Sequence, residues 1–197
     1  MAKKVIVLMA EGFEEVEAIT PVDYLRRAGI DVSMVSISES LDVASARGIQ
    51  VKAVFTLSAL AKEGKLSPKL WDGVVVPGGL PGSDNLAASS ETGFFLKEMA
   101  AAGKLVSAIC AAPARVLAPL GILVGKNFTC YPGEEEKALT LSTCAGAIFK
   151  EDRVVRDGNI ITSRGAGSAG EFSIEIIAWL LSKEEAKSIA AKVLLNI

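Results

Sequence analysis

A doubly wound α/β sandwich accounts for three features of this 197-residue sequence. Short runs rich in valine and isoleucine alternate with longer stretches of helical character. The runs are mostly apolar with few polar breaks, as strands buried on both faces tend to be. Glycines close several of the helical stretches, where a left-handed residue ends a helix at low cost. Together they predict a mostly parallel central sheet with helices on both faces.

The predicted strands are Lys4–Met9, Val32–Ile37, Gly73–Val76, Leu105–Ile109 and the pair Arg153–Arg156 and Asn159–Thr162. That last pair reads as an antiparallel hairpin turning on Asp157-Gly158, a favoured two-residue turn. Helices are predicted over Glu14–Arg27, Glu91–Ala102, Ala111–Leu120 and Glu171–Ser182, with Gly29, Gly103 and Gly121 as stops. Pro21 falls inside the first of these and removes a hydrogen bond there. A terminal helix packs from Lys183 to Ile197. Glu134-Glu135-Glu136-Lys137, the one dense charge cluster, reads as solvated helix surface. No linker or repeat divides the chain, so one domain over residues 1–197 is expected.

Composition excludes several classes of function. Half the residues are hydrophobic and 22% are charged, enough apolar content for a buried core. A net charge of −2 offers no basic surface for nucleic acid or anionic membranes. Val5 to Ala10 is too short for a secretory signal and meets Glu11, and no window is apolar enough to span a bilayer. A cytoplasmic location is expected. Cys110, Cys130 and Cys144 are too few for a disulfide scaffold, and no pair has CxxC spacing. The chain has no histidine. Every Ser-His and Cys-His nucleophile pair is therefore excluded, and the usual zinc ligand sets are missing.

What remains is a cysteine at a strand-to-helix junction. In Leu105-Val-Ser-Ala-Ile-Cys110-Ala-Ala-Pro113 a strand enters a helix without turn residues, the pattern of a nucleophile elbow. Amides and the helix dipole at such a junction favour a thiolate and lower a thiol pKa. The bland alternative is a small buried hydrophobe, since free cysteines often are that. Val76-Pro77-Gly78-Gly79 follows another predicted strand, and paired glycines let backbone approach a ligand closely. The amides of Gly79 and Ala111 could then form a two-donor anion hole. Glu14 and Glu15 suit the first turn of a helix electrostatically. Glu17 lies one turn in, beside Ala18 and Ile19; if the first strand neighbours the cysteine strand, its carboxyl reaches the sulfur and is held protonated. Gly165-Ala-Gly167-Ser-Ala-Gly170 matches a dinucleotide fingerprint formally, but no second parallel strand follows it, so close strand-to-helix packing is the reading.

These segments taken together resemble the ThiJ/PfpI superfamily, in the branch of the parkinsonism-associated protein deglycase and bacterial YajL. The matching pieces are Glu14-Glu15-Val16-Glu17, Pro21-Val22-Asp23, Arg26-Arg27-Ala28-Gly29-Ile30, Ala46-Arg47-Gly48, Val76-Pro77-Gly78-Gly79, Ala108-Ile109-Cys110-Ala111-Ala112-Pro113 and Thr162-Ser163-Arg164-Gly165. Their order and separation span nearly the whole chain. The resemblance implies a flavodoxin-like fold and a homodimer. It implies that Cys110 is the nucleophile or oxidation-sensing cysteine, Glu17 its protonated partner, and Gly79 with Ala111 the oxyanion donors. It places Arg27 and Arg47 near the site as anion holders, with Arg47 reaching across the dimer. Ala111 stands where protease-like relatives carry a histidine, which argues against a peptidase, and Tyr131 precedes Pro132 where some relatives carry another.

The function implied is a cofactor-independent cysteine enzyme acting on methylglyoxal, glyoxal or their early protein adducts. No metal is expected. The alternative is a redox sensor or oxidation-controlled chaperone in which Cys110 becomes a sulfinate. A role in making a thiazole phosphate precursor of thiamine follows only from the superfamily's historical naming, and no phosphate-binding loop supports it.

Overall fold

The computed structural model describes residues 2–196. The chain opens with β1 (Lys4–Met9), α1 (Glu15–Arg27) and β2 (Asp31–Ser36). A small hairpin of β3 (Asp42–Ala44) and β4 (Gln50–Lys52) precedes β5 (Phe55–Thr56) and α2 (Leu57–Lys62). Next come β6 (Gly73–Val76), α3 (Gly82–Ala88), α4 (Ser90–Ala101) and β7 (Leu105–Ile109). One wide turn of π type, Pro113–Leu117, follows β7. The remainder is β8 (Asn127–Phe128), α5 (Glu134–Thr140), β9 (Ile148–Phe149), β10 (Val154–Asp157), β11 (Ile160–Ser163), α6 (Ala169–Leu180) and α7 (Lys183–Lys192).

Seven strands form the central sheet in the order β10-β11-β7-β6-β1-β2-β5. All neighbours run parallel except β10 and β11. This is the expected flavodoxin-like sandwich. Side chains alternate across each strand, so the apolar runs feed two cores. Ile6 and Leu8 of β1 join Val74, Val76, Val106, Phe95, Leu117 and others on one face. Val5, Val7 and Met9 join Val75, Ile109, Leu25, Phe172, Ile177 and others on the opposite face, beneath α1, α6 and α7. A run with no polar position is the signature of this double burial.

Gly29 and Gly103 adopt positive φ just past α1 and α4, as their positions predicted; Gly121 also has positive φ, but the helix expected over Ala111–Leu120 is only the turn Pro113–Leu117, which ends before it. The tail hairpin pairs Asp157 with Ile160, so its two turn residues are Gly158 and Asn159 rather than Asp157 and Gly158. Gly158 takes φ +65°, which puts the glycine first in the turn. α1 continues through Pro21 without interruption. The terminal helix stops at Lys192, and the expected end at Ile197 lies outside the described residues. Among the described residues, no helix is long and apolar enough to cross a membrane.

The order of the strands places the site. From β1 the chain steps outward to β2 on one side and later returns to lay β6 on the other. Such a switch point leaves a crevice at the carboxyl ends of the strands. Glu17, Gly78 and Cys110 all follow those ends, in α1, after β6 and after β7.

Candidate active site

Cys110 has φ +65°, a left-handed conformation that costs a non-glycine residue about 1–3 kcal/mol. Two backbone hydrogen bonds hold it there. Its N–H donates to the Ser163 carbonyl at 2.9 Å, and its carbonyl accepts from the Tyr131 N–H at 2.8 Å. The strained junction carries the side chain out of β7 to a position that solvent partly reaches. Pro113 occupies the first position of the turn that follows, where a missing N–H costs little. The amides of Ala111 and Gly79 both face the sulfur and favour its charged form.

Glu17 is 1% exposed, and its Oε2 accepts the Gly78 N–H at 3.0 Å. The sequence made contact between Glu17 and Cys110 conditional on β1 neighbouring the cysteine strand; in the structure β6 lies between them. Glu17 reaches Cys110 by passing over the end of β6, and Gly78 makes the passage possible. A Cβ there would stand 2.5 Å from Glu17 Oε2 and 2.6 Å from Cys110 Cβ. Gly79 needs glycine for a second reason. Its φ is +91°, and a Cβ would stand 2.5 Å from the Glu14 nitrogen.

Burial pushes the Glu17 carboxyl from its ordinary 4.5 up to about 7, with the Glu14 charge adding to the rise. The hydrogen bonds from Cys110 and Gly78 oppose it. Contrary to the lowered thiol expected of an elbow, Cys110 is pushed up to about 12, first by burial and then by the charge and hydrogen bond of Glu17. The second and third causes belong to a charged Glu17. Protonating that carboxyl removes its charge and turns it from an acceptor into a donor toward sulfur, which favours the thiolate. Thiol and carboxyl thus form one proton-sharing pair, whose titration belongs to both groups.

A cavity of about 570 Å³ opens over the sulfur, walled by Glu14, Arg47, Leu80, Ala111, Tyr131 and Glu134 among others. Glu14 caps α1 by accepting the Glu17 N–H at 2.8 Å, so it helps to fix the acid. Arg47 lines the cavity of its own chain, with Nη1 3.6 Å from Glu14 Oε1 and 3.5 Å from Glu15 Oε2. The loop that carries it is anchored by Glu15, which accepts from Ser45 Oγ at 2.6 Å and the Arg47 N–H at 3.0 Å. Arg27 is elsewhere. It sits in the last turn of α1, paired with Asp23 at 2.8 Å and half exposed, and it does not line this cavity.

Glu134 went unnoticed in the sequence as a wall residue because it falls in a charge cluster. Its carboxylate is engaged through both oxygens by Arg115. Cys130 is buried, with Sγ 3.9 Å from Glu135 Oε2, and burial pushes its thiol up to about 12. Cys144 is also buried. Among the described residues, no cluster of three or more Cys, Asp or Glu side chains has the geometry to hold a metal ion.

The DJ-1/PfpI family model matches residues 3–179. The chain belongs to the DJ-1/PfpI family. Protein dj-1beta of Drosophila melanogaster is 38% identical over 96% of this chain and 96% of its own length. Glutathione-independent glyoxalase DJR-1.2 of Caenorhabditis elegans is 33% identical over 93% and 91%. Protein DJ-1 homolog B of Arabidopsis thaliana is 37% identical over 98% of this chain, which spans only 42% of that relative. The crystal structure of Drosophila melanogaster DJ-1beta superposes over all of both chains with a TM-score of 0.89 at 36% identity. This DJ-1/PfpI fold thus extends over the described chain, including the hairpin that presents Arg47.

Proposed function

We propose that this chain is a cofactor-independent cysteine enzyme that converts methylglyoxal or glyoxal, free or as early protein adducts, to 2-hydroxy acids. The observation that carries the reading is the buried Glu17 carboxyl, raised to about 7, beside a cysteine faced by two backbone amides. A group with that pKa offers both acid and base forms near neutrality, as a proton shuttle requires. The name of the nematode relative supports the substrate class.

The cycle needs only these groups and water. Cys110 sulfur bonds to the aldehyde carbon, while the carbonyl oxygen takes a proton and gives a hemithioacetal. The Gly79 and Ala111 amides face the charge that develops on that oxygen. Glu17 then takes the C1 proton, leaving an enediol, and returns a proton to C2. C1 is oxidised and C2 reduced within one molecule, so no outside electron carrier enters. The resulting thioester is hydrolysed by water to the 2-hydroxy acid, which frees the thiol.

Lactate formation from methylglyoxal by wild type, Cys110→Ser and Glu17→Gln tests this. Loss of more than about a hundredfold in both variants is expected from removal of a nucleophile or its proton shuttle. Equal rates in all three would remove the enzyme reading. Peroxide protection that depends on Cys110 without any lactate would favour the redox sensor instead.

The same reading includes a homodimer. Val16, Ile19 and Ile49 are exposed and line an apolar trough of about 640 Å³ with Phe13, Tyr24 and Val51, as a self-association surface would. Three free cysteines suit a reducing compartment such as the cytoplasm.

A further inference from the structure

Arg115 takes no part in the reaction above, yet its guanidinium joins the segments that wall the Cys110 cavity. Nε and Nη2 donate to Glu134 Oε2 and Oε1, each at 2.8 Å, and Nη1 donates to Asp84 Oδ1 at 2.8 Å. Each partner leads back to the sulfur. Asp84 lies on α3, whose Ser83 N–H donates to the Gly79 carbonyl at 2.8 Å. Arg115 donates its own N–H to the Ala111 carbonyl at 2.9 Å. Glu134 donates its N–H to the Tyr131 carbonyl at 3.1 Å, and Tyr131 is bonded to Cys110.

The pair is also a partition. Glu134 lines the Cys110 cavity and, together with Arg115, Asp84 and Lys137, a second cavity of about 220 Å³ behind it. A fork-shaped guanidinium engaging both carboxylate oxygens fixes orientation as well as charge, which a lysine cannot do.

We propose that Arg115 is a positioning residue for the Cys110 site, holding Glu134 in the cavity wall and keeping that carboxylate paired. The inference rests on Cys110 being the reactive group. The other charged or titratable groups around the sulfur are Glu17 and Glu14 from α1, Arg47 from the β3–β4 hairpin, and Tyr131 and Cys130 before α5. Carboxylates already dominate this set. Without Arg115 the Glu134 charge faces the cavity uncompensated and opposes formation of the thiolate.

The test is the rate of Cys110 alkylation by iodoacetamide as a function of pH, in wild type, R115K, R115Q and R115Q/E134Q. R115Q should move the half-maximal pH up by about one unit and slow alkylation roughly tenfold at neutrality. R115K, which keeps the charge but not the two-oxygen grip, should recover only part of that loss. The double variant removes the cavity-wall carboxylate and leaves unpaired only Asp84, which is exposed and outside the Cys110 cavity, so it should return the midpoint to within about 0.3 unit of wild type. An unchanged midpoint in R115Q, or a double variant shifted as far as R115Q, overturns the proposal. Should no protein form lactate while the midpoints move as expected, the proposed reaction fails and this inference stands.

Discussion

Replacing Glu17 with glutamine should stabilise the protein at alkaline pH while abolishing its chemistry. In the folded chain this carboxyl is 1% exposed and raised from 4.5 to about 7, chiefly by desolvation. The folded state therefore binds a proton more tightly than the unfolded chain does. That contribution to stability is fully present below about pH 4.5 and is lost as pH rises through about 7. At about 1.4 kcal/mol per unit, the loss is on the order of 3 kcal/mol. Glutamine is neutral throughout and can still accept the Gly78 N–H, so it escapes the loss. For a chain of this size about 3 kcal/mol corresponds to roughly 6–12 °C in Tm. Thermal melts of both proteins should nearly coincide at about pH 4 and diverge by that amount at about pH 8, with the variant the more stable. Cys110, raised to about 12, titrates above the window. A Tm difference constant across the range would show that Glu17 is not a buried, proton-holding carboxyl, and the shuttle would go with it.

Gly78→Ala places a methyl group 2.5 Å from Glu17 Oε2 and 2.6 Å from Cys110 Cβ, between groups that cannot separate freely. Overpacking of this kind costs about 1–3 kcal/mol, and a denaturant midpoint lowered together with slower Cys110 alkylation would check it. Phe172→Ala removes a fully buried ring from the core beneath α1 and α6 and should cost about 3–5 kcal/mol in urea unfolding, leaving the alkylation midpoint in place. Ile19→Glu puts a charge into the apolar trough on α1; sedimentation should show the proposed homodimer weakened by at least tenfold, and an unaltered assembly would move the interface elsewhere.

Much of the fold and the centre of the site could be read from residue order. β1, β6 and β7 are apolar runs broken only by Lys4 at the start of β1 and Ser107 inside β7, and their predicted bounds coincide with those observed. The three-residue strands β3 and β4 were invisible because β3 offers only Val43 and Ala44 and β4 only Val51 as apolar positions, too little to establish a period. α3 and α5, seven residues each, are likewise too short to show a stripe. They matter, since β3–β4 carries Arg47 to the cavity and α5 begins with Glu134. Glu134 and Glu135 look alike in sequence, yet one is gripped by Arg115 and the other accepts the Gly133 N–H.

By itself the sequence determined the layered architecture, the absence of histidine chemistry, and a cysteine at a strand-to-helix junction. These depend on local periodicity and on which side chains exist at all. Tertiary structure alone decided that Glu17 crosses above β6 to the sulfur, that Arg27 stands away from the cavity while Arg47 lines it, and that the thiol is raised by burial. Distance, desolvation and charge pairing are properties of residues far apart in the chain. They come into being only when the sheet sets its strands side by side.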